Sequence, residues 1–227
     1  MTVPAKHLAA IRRLPLFAAL PQTVARDLLR RAALRPFPAG GVLFREGGPS
    51  DHLYVALDSP VCLQATDGDG QRYVIEFVPP GEPLILAAVV LDKPFLMTGE
   101  AVQESDVLLV PAADLRRCAA RSIALSQAIN QSAALQWRAL IGQIKSLKMQ
   151  TGAQRLAAFL ASLVEGRSGE ATVELPCERQ TLAAWLGMVP ETASRAFKEL
   201  SALGVEGRGR RLKIGSVRRL AEFAGGR

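Results

Sequence analysis

Arg179-Gln180-Thr181-Leu182-Ala183-Ala184-Trp185-Leu186, then Gly187-Met188-Val189, then Pro190 through Leu203: this run has the spacing of two helices joined by a tight turn. Ala183 stands where two helices cross closely and a larger side chain would hold them apart. Gly187, four residues on, permits the positive φ of the turn. Pro190 opens the second helix, whose first turn has no backbone donor to lose. On that helix Phe197, Leu200 and Leu203 are expected to face a core, while Glu191, Ser194, Arg195 and Lys198 share the opposite side. Such a polar side is what a recognition helix offers a major groove, its N-terminal residues nearest the base edges.

Outward from this pair, Gly204-Val205-Glu206 and Gly207-Arg208-Gly209-Arg210-Arg211-Leu212-Lys213-Ile214 read as a short hairpin, the wing of a winged helix. Pro190 to Leu220 holds eight basic residues (Arg195, Lys198, Arg208, Arg210, Arg211, Lys213, Arg218, Arg219) against three acidic ones (Glu191, Glu199, Glu206). The surplus is concentrated where DNA phosphates would lie, which separates this run from an ordinary solvated helix pair.

The whole chain has 227 residues and a formal charge of +7, enough for two modest domains with a bias toward polyanions or anionic surfaces. Cys62, Cys118 and Cys177 lie far apart without CxxC spacing, which points to a reducing cytoplasm and to neither a disulfide framework nor a clustered metal site. The longest apolar run, Leu84 to Leu91, falls far short of the ~20 residues that span a bilayer, and the N-terminus lacks a signal-peptide pattern. No membrane partner is expected. Gly-rich phosphate loops, HExxH and GxSxG are absent and only two histidines are present, so the chain is not expected to be an enzyme.

Before Leu34, apolar residues recur at helical spacing, broken by Pro15 and Pro21, and predict two short helices. Gly40 to Pro111 changes to brief runs rich in Val, Ile, Leu, Tyr and Phe, punctuated by Asp67-Gly68-Asp69-Gly70, Pro79-Pro80-Gly81 and Asp92-Lys93-Pro94. That texture predicts an all-β sensor, a barrel or sandwich. After Pro111 no proline appears until Pro176, and long helix follows. Ala133, Trp137, Leu140, Ile144 and Leu147 repeat at 4, 3, 4, 3, a narrow seam suited to pairing with a second copy, with packing on the chain's own β domain as the other reading. Gly142 and Gly152 are weak points, and Gly152 reads as a hinge before Ala153 to Val164. The expected architecture is α+β: N-terminal helices with a jelly-roll-like β-roll sensor over 1–115, a dimerisation helix over 116–150, and a winged helix-turn-helix over 151–227.

The sequence resembles the CRP/FNR family of bacterial transcription regulators over nearly its whole length. Gly41 to Val55 resembles that family's opening β-roll pattern, Pro80-Gly81-Glu82 its later Pro-Gly turn, and Pro190-Glu191-Thr192-Ala193-Ser194-Arg195 the Glu-Thr-x-Ser-Arg pattern of the FNR-like branch. The resemblance implies that Glu191, Ser194 and Arg195 read bases and that Arg179, Gln180 and Thr192 hold phosphates. Lys198, Arg208, Arg210 and Arg211 supply further cations. The chemistry is sensible in itself, since Arg can bridge guanine O6 and N7 and Glu can accept from a cytosine amine. It further implies a homodimer on an inverted repeat of TTGAT half-sites in double-stranded DNA, with RNA polymerase as a partner. The overall pattern is most similar to the nitrogen-oxide-responsive DNR/NnrR-like branch.

Three departures shape the expected signal. Where cyclic-nucleotide binders of the family carry a Gly-Glu pair and, farther on, an Arg-Ser or Arg-Thr pair, this chain has Leu84-Ile85-Leu86 and Phe95-Leu96-Met97. No cation remains there for a cyclic phosphate, and burying an unpaired anion costs several kcal/mol or more, so cyclic AMP is not the expected ligand. No cysteine precedes Cys62, which removes the four-cysteine iron-sulfur cluster. Asp58-Ser59-Pro60 replaces the glycine that usually turns between two strands. Leu84, Leu86, Phe95, Leu96 and Met97 outline an effector pocket for an apolar ligand or a haem, or else a closed core. Axial donors for a haem would come from His7, His52, Cys62, Cys118 or Met97. Cys177, just ahead of the motif, is a redox switch only if its thiol is acidified. A ligand-binding module that controls a protein partner without reading DNA sequence is the rival function. It explains the roll but not the basic winged helix.

Overall fold

The computed structural model describes residues 3–164 and 166–225. It opens with three short helices, α1 (Ala5–Ile11), α2 (Pro15–Ala18) and α3 (Gln22–Leu29), one more than the apolar spacing predicts. Pro15 occupies the first position of α2 and Pro21 the N-cap of α3, so both prolines start helices instead of interrupting them. Ile11, Leu16, Phe17 and Leu28 seal these helices onto the core.

Strands β1 (Ala33–Phe37), β2 (Val42–Phe44), β3 (His52–Ala56), β4 (Val61–Thr66), β5 (Arg72–Val78), β6 (Thr98–Ala101) and β7 (Ser105–Pro111) form two antiparallel sheets, ordered β1-β7-β3 and β2-β6-β4-β5. Leu53, Val55, Val61, Leu63, Leu108 and Val110 fill the space they enclose. Register is set by pairs such as Tyr54 opposite Leu109 and Leu63 opposite Gly99, where a Cβ would stand 2.6 Å from Phe44. The corner at Asp58-Ser59-Pro60 needs no glycine. The amides of Asp58 and Ser59 donate to Ser105 Oγ (3.2 and 3.4 Å), and Asp58 Oδ2 accepts from the Asp106 amide (3.0 Å).

The all-β expectation fails at Leu84 to Leu91, where a six-residue helix, α4 (Leu86–Leu91), lies between left-handed Ile85 (φ 43°) and Asp92 (φ 53°). An unbroken apolar run carries no period by which strand and helix can be told apart. The helical stretch after Pro111 is two helices, α5 (Ala112–Ala119) and α6 (Ile123–Met149), separated at Ala120–Ser122. Leu125, Ala128 and Ile129 bury the start of α6 in the first unit's core.

The chain divides into two compact units inside α6, between Arg138 and Ala139, whereas the sequence texture places boundaries at 115/116 and 150/151. The second unit continues with α7 (Gly152–Ser162), β8 (Ala171–Glu174), α8 (Arg179–Trp185), α9 (Pro190–Ala202), β9 (Val205–Arg208), β10 (Arg211–Ile214) and α10 (Val217–Ala224). Gly152 is not a loose hinge. It lies inside a capping box in which the Thr151 amide donates to Gln154 Oε1 and the Gln154 amide to Thr151 Oγ1, and a Cβ on it would stand 2.7 Å from Met188 Sδ. The expected hairpin is a three-stranded antiparallel sheet ordered β8-β10-β9.

Candidate nucleic-acid interface

α8 and α9 are joined by a turn at Leu186–Val189 in which the Met188 amide donates to Ala183 O (2.9 Å) and Gly187 takes φ 66°. Ala183 is buried, and a Cβ on Gly187 would stand 2.7 Å from Leu147 Cδ2. The close approach that makes these small residues necessary is therefore present on both sides of the turn.

α9 buries Ala193, Ala196 and Leu200, not the expected trio of Phe197, Leu200 and Leu203. Phe197 and Leu203 are half-buried, because two alanines bring the helix close and leave the larger residues at the rim. Glu191, Ser194, Arg195 and Lys198 are exposed together on the opposite side. Arg195 Nε donates to Glu191 O (3.4 Å), which leaves its terminal nitrogens for a further acceptor. Glu191 lies in the first helical turn, where a carboxylate meets the positive end of the helix dipole.

The residues assigned to phosphates divide into two groups. Gln180, Lys198, Arg208 and Arg211 are exposed. Arg179, Arg210 and Thr192 are engaged within the fold. Arg179 donates from Nε to Gly209 O (2.9 Å) and from Nη2 to Gly207 O (2.8 Å), with its guanidinium 4.6 Å from the centre of the Phe197 ring. It ties α8, α9 and the β9–β10 turn together. Arg210 donates to Leu175 O (2.8 Å) and faces Glu174 (3.5 Å). Thr192 is half-buried, its methyl among the atoms a Cβ on Gly152 would meet. At the far side of the wing, Lys213 pairs with Glu170 at 2.8 Å, which lowers the carboxyl and raises the amine from their ordinary values.

One residue behind this surface escapes motif reading. Arg155 on α7 donates from Nε to Leu186 O (2.7 Å), from Nη1 to Gln150 O (2.7 Å) and from Nη2 to Gly187 O (3.3 Å). It satisfies carbonyls at the ends of both α6 and α8, and burial lowers its pKa. Its sequence signal is a single cation beside the buried run Leu156, Ala157 and Leu160.

On α6, Ala133, Trp137, Leu140, Ile144 and Leu147 are all exposed, Trp137 to 64% and Leu140 to 45%. Gln136 turns the other way and donates to Pro83 O (2.7 Å). Of the residues outlining an effector pocket, Leu84, Leu86 and Phe95 are fully buried in the roll, with Phe95 stacked on Phe44 at 4.2 Å. Met97 is half-buried against that core. Leu96 is 74% exposed and cannot line an interior site, so the five do not form one pocket wall. His7, His52, Cys62 and Cys118 sit on four different elements. Cys177 is buried. No group of three or more His, Cys, Asp or Glu side chains is placed to hold a metal ion among the described residues. None of the described helices is long and apolar enough to cross a membrane.

A roll of this topology followed by a helix-turn-helix with a basic wing defines a two-part DNA-binding regulator. Comparison with known proteins gives the same pairing in the same order: a cyclic nucleotide-binding domain matches residues 34–122 and a Crp-like helix-turn-helix domain residues 154–223. The nitrogen fixation regulation protein FixK of Rhizobium meliloti is 27% identical over 164 residues, covering 72% of this chain and 73% of that protein. The transcriptional activator protein FnrA of Stutzerimonas stutzeri is 25% identical over 209 residues, covering 88% and 83%. Among solved structures, FixK2 of Bradyrhizobium japonicum superposes with a TM-score of 0.73 at 22% identity, covering 84% of this chain and 96% of that one, a likeness of fold. The chain belongs to the CRP/FNR family: it is a DNA-binding transcription regulator and not an enzyme.

Proposed function

We propose that the protein acts as a homodimer that reads an inverted repeat with TTGAT half-sites and is switched by a signal other than cyclic AMP. The observation that carries the reading is the exposed α9 face: Glu191, Ser194, Arg195 and Lys198 project from a helix held by a packed turn and flanked by Arg208 and Arg211 of the wing. Two such helices on one face of a duplex meet successive major grooves about one helical turn apart, which sets the half-site spacing. The exposed seam of α6 supports the dimer, because an apolar stripe of this kind on a helix in water is ordinarily covered. RNA polymerase is the protein partner the family implies.

At the roll, the stretches that would anchor a cyclic phosphate are apolar, and Leu84 and Leu86 are buried without a cation beside them in the sequence. The packing of the roll argues against a haem there as well. Stacked Phe44 and Phe95 occupy the interior, and burial pushes the Cys62 thiol up to about 11. A nitrogen-oxide response routed through haem is therefore no part of the proposed function.

Fluorescence anisotropy with a TTGAT inverted repeat and its guanine-substituted variants tests the assignment. Arg195→Ala should cost about 1–3 kcal/mol for each bidentate hydrogen-bond pair it removes and relax discrimination at the guanine. An unchanged preference ratio would remove Arg195 from base reading. Equal affinity of the wild type for random duplex would favour a regulatory module that does not read sequence.

A further inference from the structure

A cavity of about 320 Å³ opens beside α3 and the α5–α6 junction. Its lining includes Asp27 and Arg30 from α3, Arg117 and Cys118 from α5, and Arg121 and Ser122 from the junction. Three guanidinia thus face one carboxylate. Arg117 uses Nη2 on the buried Asp114, which also has Arg31 Nε at 3.6 Å, so that acid is already shared between two arginines. Arg30 and Arg121 form no ion pair among the described residues. Cys118 adds no negative charge, since burial raises its thiol. Ser122 Oγ accepts from the Leu125 amide at 3.3 Å, and its own proton is free to be donated into the cavity.

Cations of one sign gathered in a concave site repel one another unless an anion joins them, and guanidinium forks match phosphate oxygens in shape as well as charge. The volume sits at the lower end of the range for small-molecule sites, about 300–1,000 Å³, and exceeds what a lone phosphate needs. We propose that this cleft binds a small phosphorylated metabolite, its phosphates clamped by Arg30, Arg117 and Arg121, and that occupancy fastens α3 to the root of α6. The site is lined by α3, α5 and the α5–α6 junction and shares no residue with the DNA-reading helix, and so does not depend on the half-site reading.

The test is calorimetric titration of the full-length protein with orthophosphate, pyrophosphate and a nucleoside triphosphate at constant ionic strength, alongside hydrogen exchange. The paired variant Arg30→Gln and Arg121→Gln removes the two unpaired guanidinia. Both are exposed, and an unchanged melting temperature without ligand verifies the fold. The proposal expects one saturable site per chain, exchange protection confined to residues 22–30 and 116–126, and affinity about tenfold weaker for each guanidinium removed. Pyrophosphate or the triphosphate binding more tightly than orthophosphate identifies a phosphorylated metabolite. Orthophosphate binding as tightly as the others reduces the site to one for free phosphate and overturns the metabolite. Undiminished binding by the paired variant, protection at α8, α9 and the wing instead, or no saturable heat with any of the three anions also overturns it.

Discussion

Replacing Arg179 with alanine separates two roles that a sequence motif cannot tell apart. In the fold its guanidinium makes two hydrogen bonds to wing carbonyls and lies over Phe197. Partly exposed bonds of this kind contribute about 0.5–1.5 kcal/mol each, and an exposed cation–π interaction about 0.5–1 kcal/mol, so Arg179→Ala should destabilise the DNA-binding unit by about 2 kcal/mol. The consequence for DNA binding exceeds that of a single phosphate partner. A residue that only touched a phosphate would change the slope of log Kobs against log salt by about 0.9 on removal. A residue that also holds the wing takes Arg208 and Arg211 with it, and the slope should become shallower by about 2–3. The assay is anisotropy across a salt series, with thermal unfolding on the same samples. With Arg179 and the wing cations acting on phosphates, as proposed, affinity should fall by a similar factor for all sequences. A variant with unchanged melting temperature and a slope change near 0.9 would show Arg179 to be a simple phosphate ligand, with no part in holding the wing.

Leu140→Glu places charge in the middle of the exposed α6 seam and should convert a dimer to monomer in light scattering; a wild-type monomer at micromolar concentration would refute pairing through this helix. Cyclic AMP should leave DNA affinity unchanged, and freshly purified protein should show no Soret band; micromolar cyclic AMP binding by calorimetry or a Soret maximum refutes the corresponding reading of the roll. The Cys62 thiol, with its folded value near 11, should resist alkylation at neutral pH and react only on unfolding. Because an acid raised on folding keeps its proton longer in the native state, its contribution lowers stability as pH climbs from the unfolded value near 9 to 11. A burst of native-state labelling at neutral pH located to Cys62 would contradict that burial.

The helix-turn-helix was legible because its constraints are local: Ala183, Gly187 and Pro190 each answer a steric demand within a few residues of themselves. The wing hairpin was equally visible from Gly204, Gly207 and Gly209. Its third strand was not, since Ala171–Glu174 is four residues long and is defined only by its partners on β10, 37 to 43 positions later in the chain. The same limit hid Arg155, whose three acceptors lie at the end of α6 and in the α8–α9 turn. It also hid the carbonyls that Arg179 and Arg210 hold within the fold, because a sequence shows that a cation is present and not which acceptor it already meets. In the roll, Leu84 to Leu91 lacked any period, and Leu96 was grouped with buried neighbours although its side chain is exposed.

The corner at Asp58-Ser59-Pro60 has a consequence for the order in which the roll is assembled. A glycine turn closes from its own flanking residues and can form as soon as they leave the ribosome. Here the corner amides find their acceptor in Ser105, 46 or 47 positions later in the chain. The bend between β3 and β4 therefore cannot be fixed until β7 arrives, and its closure entropy belongs to a long loop. What a permissive residue would settle early becomes a late, non-local step, which raises contact order and slows folding of the sensor unit relative to a glycine-containing corner.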